Sequence, residues 1–361
     1  MDDVLRLRNR IDEIDQEIVQ LLKNRHENAR LLGQIKKARR LGLRDPSREN
    51  AILKEIERVA QELNLEPALV RPIFRRIFTL AVQAQKDSTG KTARGLEGRR
   101  VLVVGGTGGM GRFFAQLTHL HGGSVKIVGR KSIRTRKVAG EMEVQAGSML
   151  DARTSEIVVV ATPMESTRRV ALRLAEQMKE GSLLTDLSSV KTGIADEIAR
   201  KIPQGIEYVS LHPLFSPEVD HVQGQTIAAV PFKVGPVWRR FARTLERAGA
   251  RIQVCSLRTH DVTMSYVQAI HHFALLSLGV SLSKWDGSLG TNSLRVSEDR
   301  IRSLLKNWDT IMGIQRLNPY ARSARHEFVS TARKLERMNL SDGRASKRIL
   351  ESDVQKWSRK T

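Results

Sequence analysis

One cysteine, Cys255, stands in a chain of 361 residues. That excludes an internal disulfide framework and fits a reducing compartment. Aromatic residues are only 4% of the chain, so few rings are at hand to stack nucleobases. No apolar run approaches the ~20 residues of a membrane span. Charge begins at Asp2, so the start of the chain lacks the apolar core of a signal peptide. A cytoplasmic protein without membrane contact is expected. Acids are also scarce, 39 against 61 Lys and Arg, for a formal charge of +22. Such an excess raises nucleic-acid binding as a rival reading. Against it, the basic residues are spread along the whole chain, mixed with acids, and form no Lys/Arg-rich tail. The excess suits anionic substrates or ion-pair-rich adaptation to heat equally well.

Residues 101–130, VLVVGGTGGMGRFFAQLTHLHGGSVKIVGR, organise the chain. Val101 to Val104 make a short buried strand and Gly105 to Gly111 a turn. A helical pattern runs from Arg112 to His121, and a second strand covers Val125 to Val128. Gly106, Gly108 and Gly111 match G-x-G-x-x-G between a strand and a helix, the context in which the pattern binds a dinucleotide. Gly106 is expected to permit the tight turn, Gly108 to let backbone approach a pyrophosphate, and Gly111 to let the helix pack closely. Gly109 and Met110 complete the phosphate loop, and the helix N-terminus faces the phosphates. After the second strand come Gly129, Arg130, Lys131 and Ser132, where an NAD-selective protein places a carboxylate for the ribose 2′-hydroxyl. A guanidinium there suits a 2′-phosphate, so NADP is expected, with NAD the alternative and no metal.

Residues 1–40 form one long helical pattern with Val4, Leu7, Ile11, Ile14, Ile18 and Leu21 on a heptad seam that must pair with another helix. Arg25 and Asn28 fall on the same seam before Leu32 and Ile35 resume it. An Arg at such a position is expensive unless an anion meets it; the other reading is a polar residue that fixes register. Lys36 lies about 16 Å beyond Arg25 on nearly the same face. Arg8 lies about 26 Å up the helix and turned away, so it reaches the same ligand only from a second copy. Asp45-Pro46 opens a second helix as N-cap and first position, with Arg48 and Glu49 one turn in. A third helix from Pro67 places Leu69, Val70, Ile73, Phe74, Ile77, Phe78 and Ala81 inward, with Gln85 a turn beyond.

LRNRIDEID, LLKNRHENARLLGQIK and RDPSRE, with the closing helix, resemble the all-helical chorismate mutases over nearly all of residues 4–85. The resemblance implies an intertwined homodimer. Arg8 of the partner subunit and Arg25 would bind the two carboxylates, Lys36 and Gln85 the ether oxygen, and Asp45, Arg48 and Glu49 the hydroxyl side. Ala81 stands where some members carry a Ser that contacts the ligand. These residue types fit the chemistry. A Claisen rearrangement needs neither nucleophile nor base, only a flexible dianion held in a reactive chair and positive charge where the ether oxygen becomes electron-rich.

Residues 86–98 have no apolar period and read as a linker. Beyond them, Ile157 to Ala161 is a strand ending in Thr162-Pro163, and Gly181 to Leu187 holds another. These are successive units of a parallel sheet, whose ligands bind beyond the carboxyl ends of the strands. Polar groups fall at such ends: Thr162, then Ser188-Ser189-Val190-Lys191, then Ser210 to Phe215 with His212. GGTGGMG, VVVATP, DLSSVKTG, LHPLFSP and THDVTMSYVQAIHHFALLSLG together resemble the prephenate dehydrogenases over residues 99–280. The resemblance implies that His212 accepts a hydrogen bond from the ring hydroxyl, that Ser189 orients that hydroxyl and the nicotinamide, and that Lys191 and His272 lie in or near the pocket. Gln268 is expected as a structural neighbour, and Thr162 and Pro163 beside the cofactor. The family also supplies an Arg to a substrate carboxylate, for which Arg295, Arg302 and Arg316 remain candidates.

The expected architecture is an α/β Rossmann-like dinucleotide-binding domain at 99–256, flanked by an all-α three-helix domain at 1–88 and an all-α dimerisation domain at 257–361, with a linker at 89–98. The expected activities are chorismate mutase and NADP-preferring prephenate dehydrogenase acting in sequence. Arogenate is the alternative substrate of the second. The rival class is a basic nucleic-acid-associated protein with a non-catalytic nucleotide-binding fold, which predicts strongly salt-dependent binding and no turnover.

Overall fold

The computed structural model describes residues 2–39, 46–87, 95–219, 221–288, 290–337, 347 and 351. The chain divides into two compact units, Met1–Arg94 and Gly95–Thr361.

The first unit is three helices: α1 (Asp2–Ala38), α2 (Pro46–Glu62) and α3 (Pro67–Asp87). Pro46 and Pro67 each hold a first helical position, where the missing N–H costs nothing. Ala29, Leu53, Ala60 and Phe78 form the buried seam. The long first helix, about 55 Å by its rise per residue, outruns this cover. Val4, Leu7, Ile11, Ile14, Ile18 and Leu21 are 42% to 66% exposed, so the heptad seam read from the sequence is left uncovered by the described residues of the helical unit. On α3, Phe78 is buried and Val70, Phe74, Ile77 and Ala81 are half-buried as expected. Leu69 and Ile73 instead are 64% and 58% exposed, because two neighbouring helices cover a narrower stripe than the apolar pattern offers.

The second unit is built on one eight-stranded sheet. Its elements run β1 (Arg100–Val104), α4 (Gly109–Leu120), β2 (Ser124–Val128), α5 (Ser132–Glu141), β3 (Gln145–Ala146), β4 (Ile157–Val160), α6 (Met164–Ala175), β5 (Leu183–Asp186), α7 (Ala195–Lys201), β6 (Glu207–Pro213), β7 (Thr226–Lys233), α8 (Pro236–Arg247) and β8 (Arg251–Val254). The strand order is β3-β2-β1-β4-β5-β6-β7-β8. The first six are parallel, β7 is antiparallel to β6, and β8 is parallel to β7. The central strands are apolar runs buried on both faces, as a parallel sheet requires. The last two strands were not legible as strands. β7 carries Pro231 opposite Val209 beside a register shift, and β8 is four residues, two of them charged or polar and exposed. Leu96, inside the stretch read as linker, is fully buried in the core under β1, so the end of that stretch is part of the second unit.

Helices follow: α9 (Leu257–Met264), a π turn (Ser265–Ile270), α10 (His271–Ser281), a 3-10 turn (Leu282–Lys284), α11 (Asn292–Lys306), α12 (Trp308–Leu317) and α13 (Ala321–Arg337). The expected breaks at Gly287 to Asn292 and at Leu317-Asn318-Pro319 are both present. The mostly apolar α10 has no buried residue. Among the described residues no helix is long and apolar enough to cross a membrane. The tail beyond Gly343 lies outside the described residues apart from Lys347 and Glu351.

Candidate active sites

At the carboxyl end of β1 the chain turns at Gly105, whose φ of +88° suits glycine and whose added Cβ would lie 2.3 Å from the Ala161 carbonyl oxygen. The tight turn therefore falls at Gly105, not at Gly106 as expected. Gly106 instead lets the loop lie on β2, since a Cβ there would come within 2.6 Å of Ile127 Cβ. Gly111 packs α4 onto the turn, its Cβ position 2.2 Å from the Gly105 oxygen. Gly108 is different: a Cβ there would meet only the Gly105 oxygen, at 3.4 Å. It caps α4 without a side-chain hydrogen bond, so the first helical N–H groups are left for an anion. The helix begins at Gly109, earlier than the pattern suggested, which puts Gly109 and Met110 in its first turn. After β2, Gly129 is pressed against Thr107 and Thr135, and Arg130, Lys131 and Ser132 are exposed where α5 starts. Thr162 and Pro163 follow β4, with Thr162 Oγ1 3.1 Å from Thr167 Oγ1. An uncapped helix N-terminus, an open approach at Gly108 and no carboxylate after β2 all fit a dinucleotide.

β6 carries His212 into the interior, where it is 3% exposed. Its Nδ1 lies 3.0 Å from His260 Nε2, and His260 Nδ1 lies 2.8 Å from Asp261 Oδ1. On the other side of the ring, His212 Nε2 is 3.4 Å from Gln268 Nε2. Gln268 sits in the π turn, a local widening of a helix that recurs at functional sites. Gln268 Oε1 and His272 Nδ1 are buried and lack a hydrogen-bond partner among the described residues, so both are suited to a polar ligand. Burial, then Lys191 and His260, push the His212 pKa well below its ordinary value. Burial and His271 lower His272 to about 4.

Lys191, expected to contact substrate, is fully buried. Its ammonium donates to the Ser188 carbonyl at 2.8 Å, to Ser210 Oγ at 2.7 Å and to the Leu211 carbonyl at 2.8 Å. All three hydrogens are used, so Lys191 ties the loop after β5 to β6 and has no donor left for a ligand. Burial pulls its pKa down to about 8, against Asp186 and Asp261. Half-buried Ser189 belongs to the loop so anchored. Asp186 accepts from the Ser188 amide at 3.0 Å, from the Ser188 hydroxyl, and from Tyr208 Oη at 2.7 Å. Of the candidate arginines, Arg316 pairs with Glu165 at 3.0 Å, while Arg295 and Arg302 are exposed on α11. Half-buried Arg325, which the sequence did not single out, donates to the Gln315 carbonyl at 3.1 Å and to its side-chain oxygen at 2.6 Å. His260 and Asp261 also went unread; an adjacent His-Asp pair just after the sheet was the available signal.

In the helical unit, Arg25 is half-buried, with its guanidinium carbon 5.6 Å from the centre of the Phe78 ring and Nη1 3.5 Å from the Ile77 carbonyl. No carboxylate among the described residues pairs with it, and burial lowers its pKa. Lys36 is half-buried on the same helix, whereas Arg8 and Arg48 are exposed and Glu49 half-buried. Asp45 lies outside the described residues, and Gln85 is on α3 with its side chain outside the description.

A dinucleotide-binding sheet with a buried histidine at the end of its sixth strand defines a nicotinamide-dependent dehydrogenase, here following a separate helical module. Residues 7–86 match the family model "Chorismate mutase type II", and residues 114–229 match "Prephenate dehydrogenase, nucleotide-binding domain". The chain thus joins a type II chorismate mutase domain to a prephenate dehydrogenase domain. The T-protein of Enterobacter agglomerans is 28% identical over 278 residues, 77% of this chain and 70% of that protein. Among solved structures, prephenate dehydrogenase from A. aeolicus, in complex with hydroxyphenyl propionate and NAD+, aligns with TM-score 0.58 at 18% identity, over 73% of this chain and 98% of that one. Synechocystis arogenate dehydrogenase aligns with TM-score 0.60 at 16% identity, over 73% and 100%. At these identities the structural likenesses speak for the fold of the second unit alone.

Proposed function

We propose that the chain is a bifunctional enzyme of tyrosine biosynthesis: it rearranges chorismate to prephenate and then oxidatively decarboxylates prephenate to 4-hydroxyphenylpyruvate. The observation that carries this is the succession, in one chain, of a chorismate mutase domain and a dehydrogenase domain with a buried His212 at the end of a sheet strand.

In the mutase, Arg25 is the anchor. A half-buried guanidinium without a carboxylate partner among the described residues is stabilised by a dianionic substrate. Arg8 of the partner subunit meets the second carboxylate, Lys36 and Gln85 stabilise negative charge on the ether oxygen, and Asp45, Arg48 and Glu49 hold the hydroxyl side. The exposed seam of α1 and the only partly covered α10 are the surfaces of a homodimer, apolar enough to favour association over exposure to water.

In the dehydrogenase, Gly106, Gly108, Gly109, Met110 and Gly111 cradle the pyrophosphate, Thr162 and Pro163 border the cofactor, and Arg130, Lys131 and Ser132 meet a 2′-phosphate, which favours NADP over NAD. When bound there, the nicotinamide supplies hydride acceptance. Neutral His212 takes the proton of the ring hydroxyl, Ser189 orients that hydroxyl, and Gln268 and His272 offer polar atoms to the rest of the substrate. Loss of the ring carboxylate as carbon dioxide restores aromaticity. Supplying chorismate with NADP and following nicotinamide reduction tests both halves at once, because the signal requires both. A chain that binds nucleic acid and consumes no chorismate would overturn the reading.

A further inference from the structure

We infer that Asp261 and His260 are positioning residues of the dehydrogenase, forming with His212 a buried carboxylate–imidazole–imidazole chain that dictates which ring nitrogen of His212 faces the substrate. The inference rests on the role of His212 proposed above and extends it to residues beyond position 229, where the match to the dehydrogenase family model ends.

The direction of the chain follows from its fixed end. An ionised carboxylate only accepts, so the 2.8 Å contact between Asp261 Oδ1 and His260 Nδ1 places the His260 proton on Nδ1. His260 Nε2 is then an acceptor, and its 3.0 Å contact with His212 Nδ1 places the His212 proton on Nδ1. The lone pair left on His212 Nε2 faces Gln268 Nε2, a donor. A neutral imidazole in water divides itself between two tautomers; here a single one is compatible with every partner.

The fixed end is itself held firmly. Asp261 accepts from the Lys191 amide at 3.0 Å and the Thr192 amide at 2.8 Å, and its carbonyl accepts from Asn318 Nδ2 at 2.8 Å. The loop after β5 therefore holds the carboxylate, and the junction of α12 with α13 holds the backbone of the same residue. Burial alone would raise the Asp261 pKa, but the hydrogen bonds from His260, Thr192 and Lys191 hold it below its ordinary value, so the acceptor stays ionised. The charged and titratable groups around His212 are Lys191 from the loop after β5, with Asp186 behind it, and His260 and Asp261 from α9.

During the reaction the O–H bond of the ring hydroxyl breaks and its proton bonds to His212 Nε2. The imidazolium so formed keeps its Nδ1–H on His260, with the Asp261 carboxylate at the far end of the chain as counter-charge. The same group that selects the tautomer thus stabilises the charged state. A carboxylate orienting a single imidazole is a familiar device in hydrolases; here a second imidazole carries the influence one ring further.

The full chain tests this with Asp261→Asn, His260→Leu and His260→Gln. In Asp261→Asn the amide oxygen keeps the Lys191 and Thr192 amides, while the amide NH2 turns to His260 and reverses both tautomers. Prephenate turnover should fall on the order of 10²-fold or more in kcat. KM for prephenate should stay within about threefold, since the Nε2–H can still donate to the ring hydroxyl oxygen in the ground state. Chorismate consumption by the same chains should be unchanged, and the 15N spectrum of His212 should switch from the Nδ1–H to the Nε2–H form. His260→Leu, which cannot accept, should show a comparable loss, and His260→Gln should restore part of it through its amide oxygen. Unchanged kcat in Asp261→Asn and His260→Leu, or a His212 tautomer that does not respond, overturns the inference. Should His212→Asn itself leave dehydrogenation intact, the proposed role of His212 falls instead, a distinct result.

Discussion

The two units hold their charges in opposite surroundings. In the helical unit the cationic groups are exposed or half-buried on helices whose apolar seam is also exposed, and no single chain brings Arg8 to Arg25. In the dehydrogenase unit His212, His260, Asp261 and Lys191 are almost fully buried, and each has named hydrogen-bond partners within the same chain. The difference follows the chemistry. A pericyclic step asks only for positive charge and shape, which a second copy can complete. A proton transfer asks for one nitrogen in one protonation state, which needs a dry, preorganised interior.

The strongest way to break this comparison is to disable one unit and watch the other. His212→Asn should lower prephenate dehydrogenation by roughly 10²- to 10⁴-fold while chorismate rearrangement continues, because an amide of similar size cannot act as a base at neutral pH. Lys36→Ala should do the reverse, abolishing rearrangement while added prephenate is still oxidised. If either substitution removes both activities in a folded chain, the units are not chemically independent. A second break concerns assembly. Chains carrying Arg8→Ala and chains carrying Arg25→Ala should each lack mutase activity, and subunit exchange between them should restore it in heterodimers with one intact site each. A mixture as inactive as its parents would mean that each chain builds its own site.

The same contrast governs what could be read from the sequence. The helices of the first unit, the strands β1, β2, β4 and β5 and the breaks among the last helices were legible, since apolar period, glycine spacing and proline position are local signals; the two-residue β3 was not read. β7 and β8 were not, because a proline at a register shift and a four-residue edge strand carry no period. His212 was legible as a polar residue at a strand end, but its partners lie 48 and 49 positions further along and meet it only through the fold. Lys191 was expected in or near the pocket and does neighbour His212, but its burial was not legible, for a related reason. A lysine in a loop is ordinarily solvated, and only the convergence of three acceptors from two segments accounts for its burial.

The pH response sharpens the contrast further. An unperturbed imidazole would lose base function near pH 6.5, but the His212 pKa is well below that value. The acid limb of dehydrogenase kcat/KM should therefore lie well below pH 6.5, and the mutase should not follow it; a limb at 6.5 would mean that burial does not govern the ring. Stability has the same sign. His212, His260 and His272 all have lowered pKa values in the folded unit, so below about pH 6.5 the unfolded chain binds protons that the folded unit refuses. Melting of the dehydrogenase unit should be highest above that pH and fall as acid is added, earlier than a unit without buried histidines.

The smallest expected effect concerns the cofactor, where the comparison is between two exposed regions. Arg130 follows β2 exposed to solvent, like Arg8 and Arg48 of the mutase, and so contributes through a bidentate match to phosphate and not through burial. Exposure limits such a contact to a kilocalorie or two, about tenfold in affinity. Arg130→Asp should weaken NADP by about that factor or somewhat more, since it adds repulsion to the lost contact. It should leave NAD within a fewfold, or improve it if the new carboxylate reaches the ribose 2′-hydroxyl. Titration of the full chain with each cofactor measures both constants directly. Equal weakening of NADP and NAD would assign Arg130 to a general attraction for anions and remove the argument for NADP preference.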